Sequence, residues 1–275
     1  ERWELRDVLH ILADERSLRS ILLSTEETAH YVREYFKPKS TFQNIRSAIA
    51  SQMGQFRPIA AAWHNAAAKG LAFSLRDWMT NPCILVLGED ETNRAALAAV
   101  NRLLFTRATE LLLNQPDRPT ARTWVFLDEV RDLGRLDTLD RLLLKGRSKN
   151  VCVALGFQDI EGLREVYGDK VANEIVGQCG HLAFLKLNSP TTAEWVSQAI
   201  GEQEVLERIP SRSMSSSPDL RPPDSKQVKT RRVVLPSQLL NIEPPSGLDR
   251  LTGYYLTAKY GLYSSTLSHH QIAHV

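Results

Sequence analysis

Asp128 and Glu129 are adjacent carboxylates that close a short apolar run, Trp124-Val125-Phe126-Leu127. In an open α/β sheet the carboxyl ends of the strands face the ligand crevice, so charges placed there stand where chemistry happens. The pattern is that of a Walker B strand. Asp128 would hold Mg²⁺ through its water shell, and Glu129 would orient and polarise the water that attacks a phosphoryl group. The same letters also fit a strand followed by an acidic helix cap. Gln158 follows a second apolar run, in Gly156-Phe157-Gln158-Asp159, where a side-chain amide can sense a γ-phosphate or position a water. Arg147 ends a predicted helix in Lys145-Gly146-Arg147-Ser148-Lys149. Taken alone, it reads as a solvated cation favourable to the helix dipole.

Those side chains need strands to carry them. Apolar runs at Cys83 to Leu87, Trp124 to Leu127, Val151 to Leu155 and Leu182 to Leu187 alternate with helical patterns at about 91–113, 137–147, 159–178 and 191–201. This alternation predicts βα units in an open, mostly parallel α/β sheet covered on both faces. Residues 1–68 read instead as an all-α segment. Leu5 to Leu23 suggests a helix or helical pair, and Ser24 with Glu27, then Ser40 with Gln43, suggest capping boxes opening two more helices. The expected organisation is therefore an all-α segment at 1–68, an α/β half-domain at 69–209, a Ser/Pro-rich linker at 210–232, and terminal strands and tail at 233–275. A hairpin around Tyr260-Gly261 is expected in the last part.

Taken together and in order, these motifs resemble the C-terminal part of the nucleotide-binding domain of type IV secretion coupling proteins, the conjugative DNA-transfer ATPases. The resemblance runs from about Ser74-Leu-Arg-Asp-Trp78 to Gly201. It is carried by Trp124-Val-Phe-Leu-Asp-Glu-Val-Arg-Asp-Leu-Gly-Arg, Leu-Leu-Lys-Gly-Arg147, Val-Ala-Leu-Gly-Phe-Gln158 and Cys179-Gly-His-Leu-Ala-Phe-Leu-Lys-Leu-Asn188. It implies a RecA-like P-loop NTPase that uses ATP and Mg²⁺ and works as a homo-hexamer at the cytoplasmic face of the bacterial inner membrane. Its membrane anchor would lie upstream. Its cargo would be single-stranded DNA with an attached relaxase, passed to type IV secretion channel components. The resemblance puts Asp128 and Glu129 on the Walker B pair, Gln158 on a glutamine sensor, and Arg147 on an arginine finger that completes a neighbouring subunit's site. Residues 1–68 would correspond to part of the family's inserted all-α domain.

A phosphate-binding loop needs G-x-x-x-x-G-K-[ST], and no Gly-Lys-Ser or Gly-Lys-Thr occurs in the chain. The expectation is a truncated coupling protein, lacking the Walker A strand and inactive alone. Two other readings remain open: a non-catalytic, degenerate RecA-like adaptor, and a motor with another cargo, either duplex DNA in the FtsK or HerA manner or a secreted protein.

Composition bounds these readings. The chain has 275 residues, 43% of them hydrophobic, enough to bury a core. Its formal charge of +2 excludes a histone-like polycation, so any nucleic-acid contact must be local. Arg131, Arg135 and Arg141, and later Lys226, Lys229, Arg231 and Arg232, could meet phosphates, although a solvated surface fits each of them. Three cysteines with no C-x-x-C pair support neither a disulfide framework nor a zinc site, and Cys83 and Cys152 are expected to be buried in strands. His269, His270 and His274 match no zinc spacing. Trp195 lies on the expected buried face of its helix.

Overall fold

The computed structural model describes residues 3–37, 39–117, 119–209, 225–244, 250–268 and 271. The chain forms two compact units, Glu1–Pro119 with Leu136–Thr138, and Thr120–Arg135 with Leu139–Val275.

The first unit is helical among its described residues: α1 (Leu5–Ala13), α2 (Glu15–Leu22), α3 (Glu26–Tyr35), α4 (Lys39–Gly54), α5 (Arg57–Ala68), α6 (Leu75–Thr80) and α7 (Arg94–Leu113). Asp14 breaks the Leu5–Leu23 stretch into a helical pair. Its carboxylate accepts from the Ser17 amide at 2.9 Å and so supplies the N-cap of α2. The expected capping boxes are not used. Ser24 donates to the Ile21 carbonyl at 2.6 Å and finishes the preceding turn, while Ser40 lies inside α4. Phe36 and Phe42 stack at 4.2 Å, and Leu9, Val32, Phe42, Ile59 and Ala60 are buried.

The run Cys83 to Leu87 is not a strand. Ile84 is 91% exposed, Val86 79%, and Cys83 is exposed as well. A β-strand exists only through hydrogen bonds to a neighbour, and none of the described strands pairs with this run.

The second unit carries all the described strands. β1 (Thr123–Leu127) and β2 (Val151–Leu155) run parallel, in register from Thr123 with Val151 to Leu127 with Leu155. Between them lie α8 (Leu139–Lys145) and a 3₁₀ turn at Gly146–Lys149. The helix expected over 159–178 is two, α9 (Ile160–Tyr167) and α10 (Asp169–Gly177). Gly168, at φ +78°, makes the break.

β3 (His181–Phe184) does not extend the parallel pair. It lies antiparallel to β6 (Arg250–Thr257), which forms with β7 (Gly261–Ser268) the hairpin expected around Tyr260-Gly261. The single parallel sheet covered on both faces is therefore corrected to a parallel pair, an antiparallel three-stranded sheet and a separate ribbon. Trp124 and Phe126, stacked at 5.8 Å, leave one face of β1 open.

The ribbon joins β4 (Glu202–Ile209) to β5 (Ser225–Arg232) through eight register pairs. The linker expected over 210–232 thus gives way to a strand at Ser225. The antiparallel ladder forms that strand, and cross-strand charge accompanies it: Arg231 and Lys229 both pair with Glu207. α11 (Pro190–Ile200) and α12 (Pro236–Leu240) bury Ala193, Val196 and Leu239 with Phe184, and Trp195 packs against this cluster as its spacing requires. His269, His270 and His274 lie outside the described residues.

Candidate active site

β1 and β2 point their C-terminal ends the same way, which brings the segments carrying three of the four singled-out residues to one end of the pair. The ladder continues one step past each strand. The Gly156 amide donates to the Leu127 carbonyl at 2.8 Å, and the Val130 amide donates to the Gly156 carbonyl at 2.9 Å. Asp128 and Glu129 lie between those two bonds, and Gln158 follows Gly156 by two residues. Leu127 and Val130 are buried on either side, while Asp128 is exposed and Glu129 half-buried. The chain therefore anchors apolar residues on both sides of the acidic pair and leaves the carboxylates at the surface.

Two backbone features shape this tip. A Cβ on Gly156 would come within 3.1 Å of Asp128 Oδ1, so the missing side chain makes room for the carboxylate. Glu129 has φ +49°, a left-handed conformation that costs a residue with a Cβ about 1–3 kcal/mol and persists only where its surroundings over-determine it.

Among the described residues, the side chains of Asp128, Glu129, Gln158 and Arg147 make no hydrogen bond or ion pair. Arg147 is not with the other three. It lies in the 3₁₀ turn before Val151, at the N-terminal end of β2, whereas Gln158 follows its C-terminal end. A strand of that length separates them by about 13 Å or more.

Next to Gln158, Asp159 caps α9 by accepting from the Gly162 amide at 2.5 Å. A hollow of about 330 Å³ opens here, lined by Arg131, Asp159, Glu161, Gly162, Glu165 and Ser189. Burial acts to raise the Glu161 carboxyl, but hydrogen bonds from Thr192, its own backbone amide, Ser189 and Thr191 outweigh it and hold the group below the usual glutamate range. Thr192 Oγ1 also accepts from the Ile160 amide at 3.1 Å, tying α9 to α11. Sequence reasoning did not reveal this junction. The only signal was Ser189 three residues before Thr192, at N-cap spacing.

Most of the cations considered for phosphate contact are occupied. Arg131 pairs with Glu165 at 2.8 Å, Arg135 lies 5.9 Å from the Tyr167 ring centre, and Lys229 and Arg231 pair with Glu207. Arg232 pairs with Glu194 at 2.5 Å.

A parallel strand pair with acidic and amide groups at its carboxyl tips, each strand followed by a helical segment, is the arrangement of open α/β ligand-binding proteins. The chain belongs to the type IV secretion-system coupling protein DNA-binding domain family, whose model matches residues 4–260. It is related to known conjugative coupling proteins. Coupling protein TraD of Escherichia coli (strain K12) is 27% identical over 203 residues, covering 71% of this chain and 27% of TraD. Conjugal transfer protein TraG of Agrobacterium fabrum is 27% identical over 176 residues, covering 63% of this chain and 26% of TraG. The chain thus spans about a quarter of the length of these two relatives.

Among solved structures, the bacterial conjugative coupling protein TrwBdeltaN70 in its trigonal form with sulphate has a TM-score of 0.66 at 22% identity, covering 97% of this chain and 58% of that one. TrwB with a non-hydrolysable ATP analogue gives 0.61 at 21% identity, covering 96% and 57%. TrwB with ADP and Mg²⁺ gives 0.58 at 21% identity, with the same coverage. These likenesses establish the fold. Among the described residues, no helix is long and apolar enough to cross a membrane.

Proposed function

We propose that this chain is part of an ATP-driven motor of RecA-like fold that moves single-stranded DNA, with its relaxase, towards a type IV secretion channel during conjugation. One observation carries the reading: Asp128 and Glu129 stand unpaired at the carboxyl tip of β1, beside the β2 tip that bears Gln158. The relatives agree with it. Two are named for coupling or conjugal transfer, and TrwB has been seen with an ATP analogue and with ADP and Mg²⁺.

The donor set fits Mg²⁺. Among the described residues no three His, Cys, Asp or Glu side chains gather to cage a metal. Mg²⁺ keeps several waters and usually takes one or two carboxylates together with substrate phosphates. Asp128, exposed and given room by the bare Cα of Gly156 beside its carboxylate, suits that role. When bound, Mg²⁺ would neutralise charge on the phosphates. Glu129 accepts a proton from the attacking water and fixes its direction, and Gln158 donates an amide hydrogen to that water or to a terminal phosphate oxygen. Arg147, at the opposite end of β2, serves a neighbouring subunit's nucleotide in a hexameric ring at the inner membrane. There it donates to developing phosphoryl charge.

The test is Glu129→Gln in the intact protein, with DNA-stimulated ATP hydrolysis and ATP binding measured separately. Binding is expected to persist while turnover disappears. Undiminished hydrolysis would remove Glu129 from the mechanism. A wild-type protein that binds channel components and hydrolyses no nucleotide would establish the adaptor in its place.

A further inference from the structure

Glu129 sits in a conformation that its own backbone disfavours, so something must hold it. On its N-terminal side the hold is the Gly156–Leu127 hydrogen bond. On its C-terminal side, Val130 is 1% exposed and hydrogen-bonded to Gly156. The next residue, Arg131, lies across Gly162 on α9. A Cβ at Gly162 would come within 2.6 Å of Arg131 Cδ, 3.0 Å of Asp159 Oδ1 and 3.2 Å of Arg131 Nε, so the arginine stem, beside the cap carboxylate of α9, occupies the space that any other residue's side chain would fill. Beyond the stem, the guanidinium meets Glu165 Oε2 at 2.8 Å. An ion pair this exposed contributes little by itself, with side chains 49% and 68% accessible. The seat on Gly162 gives it a fixed geometry.

We infer that Arg131, seated on Gly162 and tied to Glu165, is a positioning residue that holds Glu129 in its left-handed conformation. It also fixes the spacing between the two strand tips. α9 begins two residues after Gln158, with Asp159 as its cap, so a latch from the loop after β1 onto α9 joins the segment carrying Glu129 to the segment carrying Gln158. This inference rests on the nucleotide reading above. It adds a residue that touches neither phosphate nor water and acts through Glu129.

The experiment compares Arg131→Ala, Gly162→Val and Arg131→Lys with wild type and with Glu129→Gln, all in the intact protein. It measures kcat, KM for ATP, and binding of a fluorescent ATP analogue. Arg131→Ala and Gly162→Val are expected to lower kcat about tenfold, since a misplaced catalytic group costs rate before it costs binding. KM and analogue affinity are expected to stay unchanged. Arg131→Lys keeps the stem and a charge for Glu165, so it is expected to retain most of kcat.

Wild-type kcat in Arg131→Ala, or parallel losses of kcat and analogue binding, would overturn the latch. Failure of the lysine variant to do better than alanine would do the same. The Glu129→Gln reference separates the two levels. If it hydrolyses normally, the nucleotide reading itself falls and the latch falls with it; if it is inactive while Arg131→Ala is normal, only the latch falls.

Discussion

Gly156 and Asp128 face each other across the tips of the two parallel strands, and a Cβ on the glycine would stand 3.1 Å from the Asp128 carboxylate oxygen. The contact is tighter than ordinary van der Waals distance, so a side chain at 156 must push the carboxylate aside.

Gly156→Val is therefore expected to leave the fold and lower Mg²⁺-dependent hydrolysis, on the order of tenfold, by displacing the residue assigned to the metal's water shell. The deficit should be partly relieved by raising Mg²⁺, because the lesion is in metal placement. Titrating Mg²⁺ at saturating ATP checks this. An activity curve that superimposes on wild type at every Mg²⁺ concentration would remove Asp128 from the metal's surroundings.

Arg147 calls for a different experiment, because it lies at the far end of β2 from Gln158. If it completes a neighbour's site, the two lesions complement. Arg147→Ala alone should reduce hydrolysis by about 10³-fold, the usual scale for losing an arginine finger. Mixed with Glu129→Gln, it should regain part of the activity, since some interfaces of a mixed ring then combine an intact Glu129 with an intact Arg147 from the adjacent subunit. Mixtures no more active than the separate mutants would place Arg147 outside any shared site.

What the sequence revealed and what it hid follow from the range of the interactions involved. The tip of β1 was legible because Trp124-Val125-Phe126-Leu127 and the two carboxylates are contiguous, and strand ends are local events. The hairpin around Tyr260-Gly261 was legible for the same reason, with Gly261 at φ +70°. β5 was hidden. Lys226-Gln-Val-Lys-Thr-Arg-Arg232 looks like a solvated basic stretch until Glu202-Gln-Glu-Val-Leu-Glu207 is laid antiparallel against it, and that pairing spans a long insertion. The run at Cys83 failed in the opposite sense. Its apolar letters specify a buried strand, but no described strand pairs with it, and an apolar run becomes a strand only through such pairing. The Arg131–Gly162 seat was invisible because it depends on a glycine whose only role is to be small.

The base of the ribbon carries an acid-sensitive tie. Arg232 donates to Glu194, and this hydrogen bond, more than the accompanying charge attraction, lowers the glutamate's pKa despite some desolvation. A depressed folded pKa means that the unfolded chain binds the proton first. The stabilisation is complete above the ordinary glutamate value of about 4.3 and is lost as pH falls through the depressed value. Urea unfolding followed from pH 7 down to pH 3 should show wild type losing more stability than Glu194→Gln. Parallel curves for the two proteins would mean that the tie contributes nothing.

Directly under that tie, Ser197 is fully buried, and its hydroxyl donates to the Val234 carbonyl at 2.5 Å. Val234 is itself buried, in the cluster formed by Phe184, Ala193, Val196 and Leu239, so no solvent is at hand to replace the lost donor. Ser197→Ala removes one partner of a buried bond and leaves the carbonyl unsatisfied, a loss of about 1–3 kcal/mol. Leu239→Ala, in the same cluster, removes apolar volume and should cost about 2–5 kcal/mol. Urea unfolding at neutral pH measures both losses. An unchanged midpoint for Ser197→Ala would show that the Val234 carbonyl finds another donor. The hydroxyl would then not be what joins the end of β5 to α11.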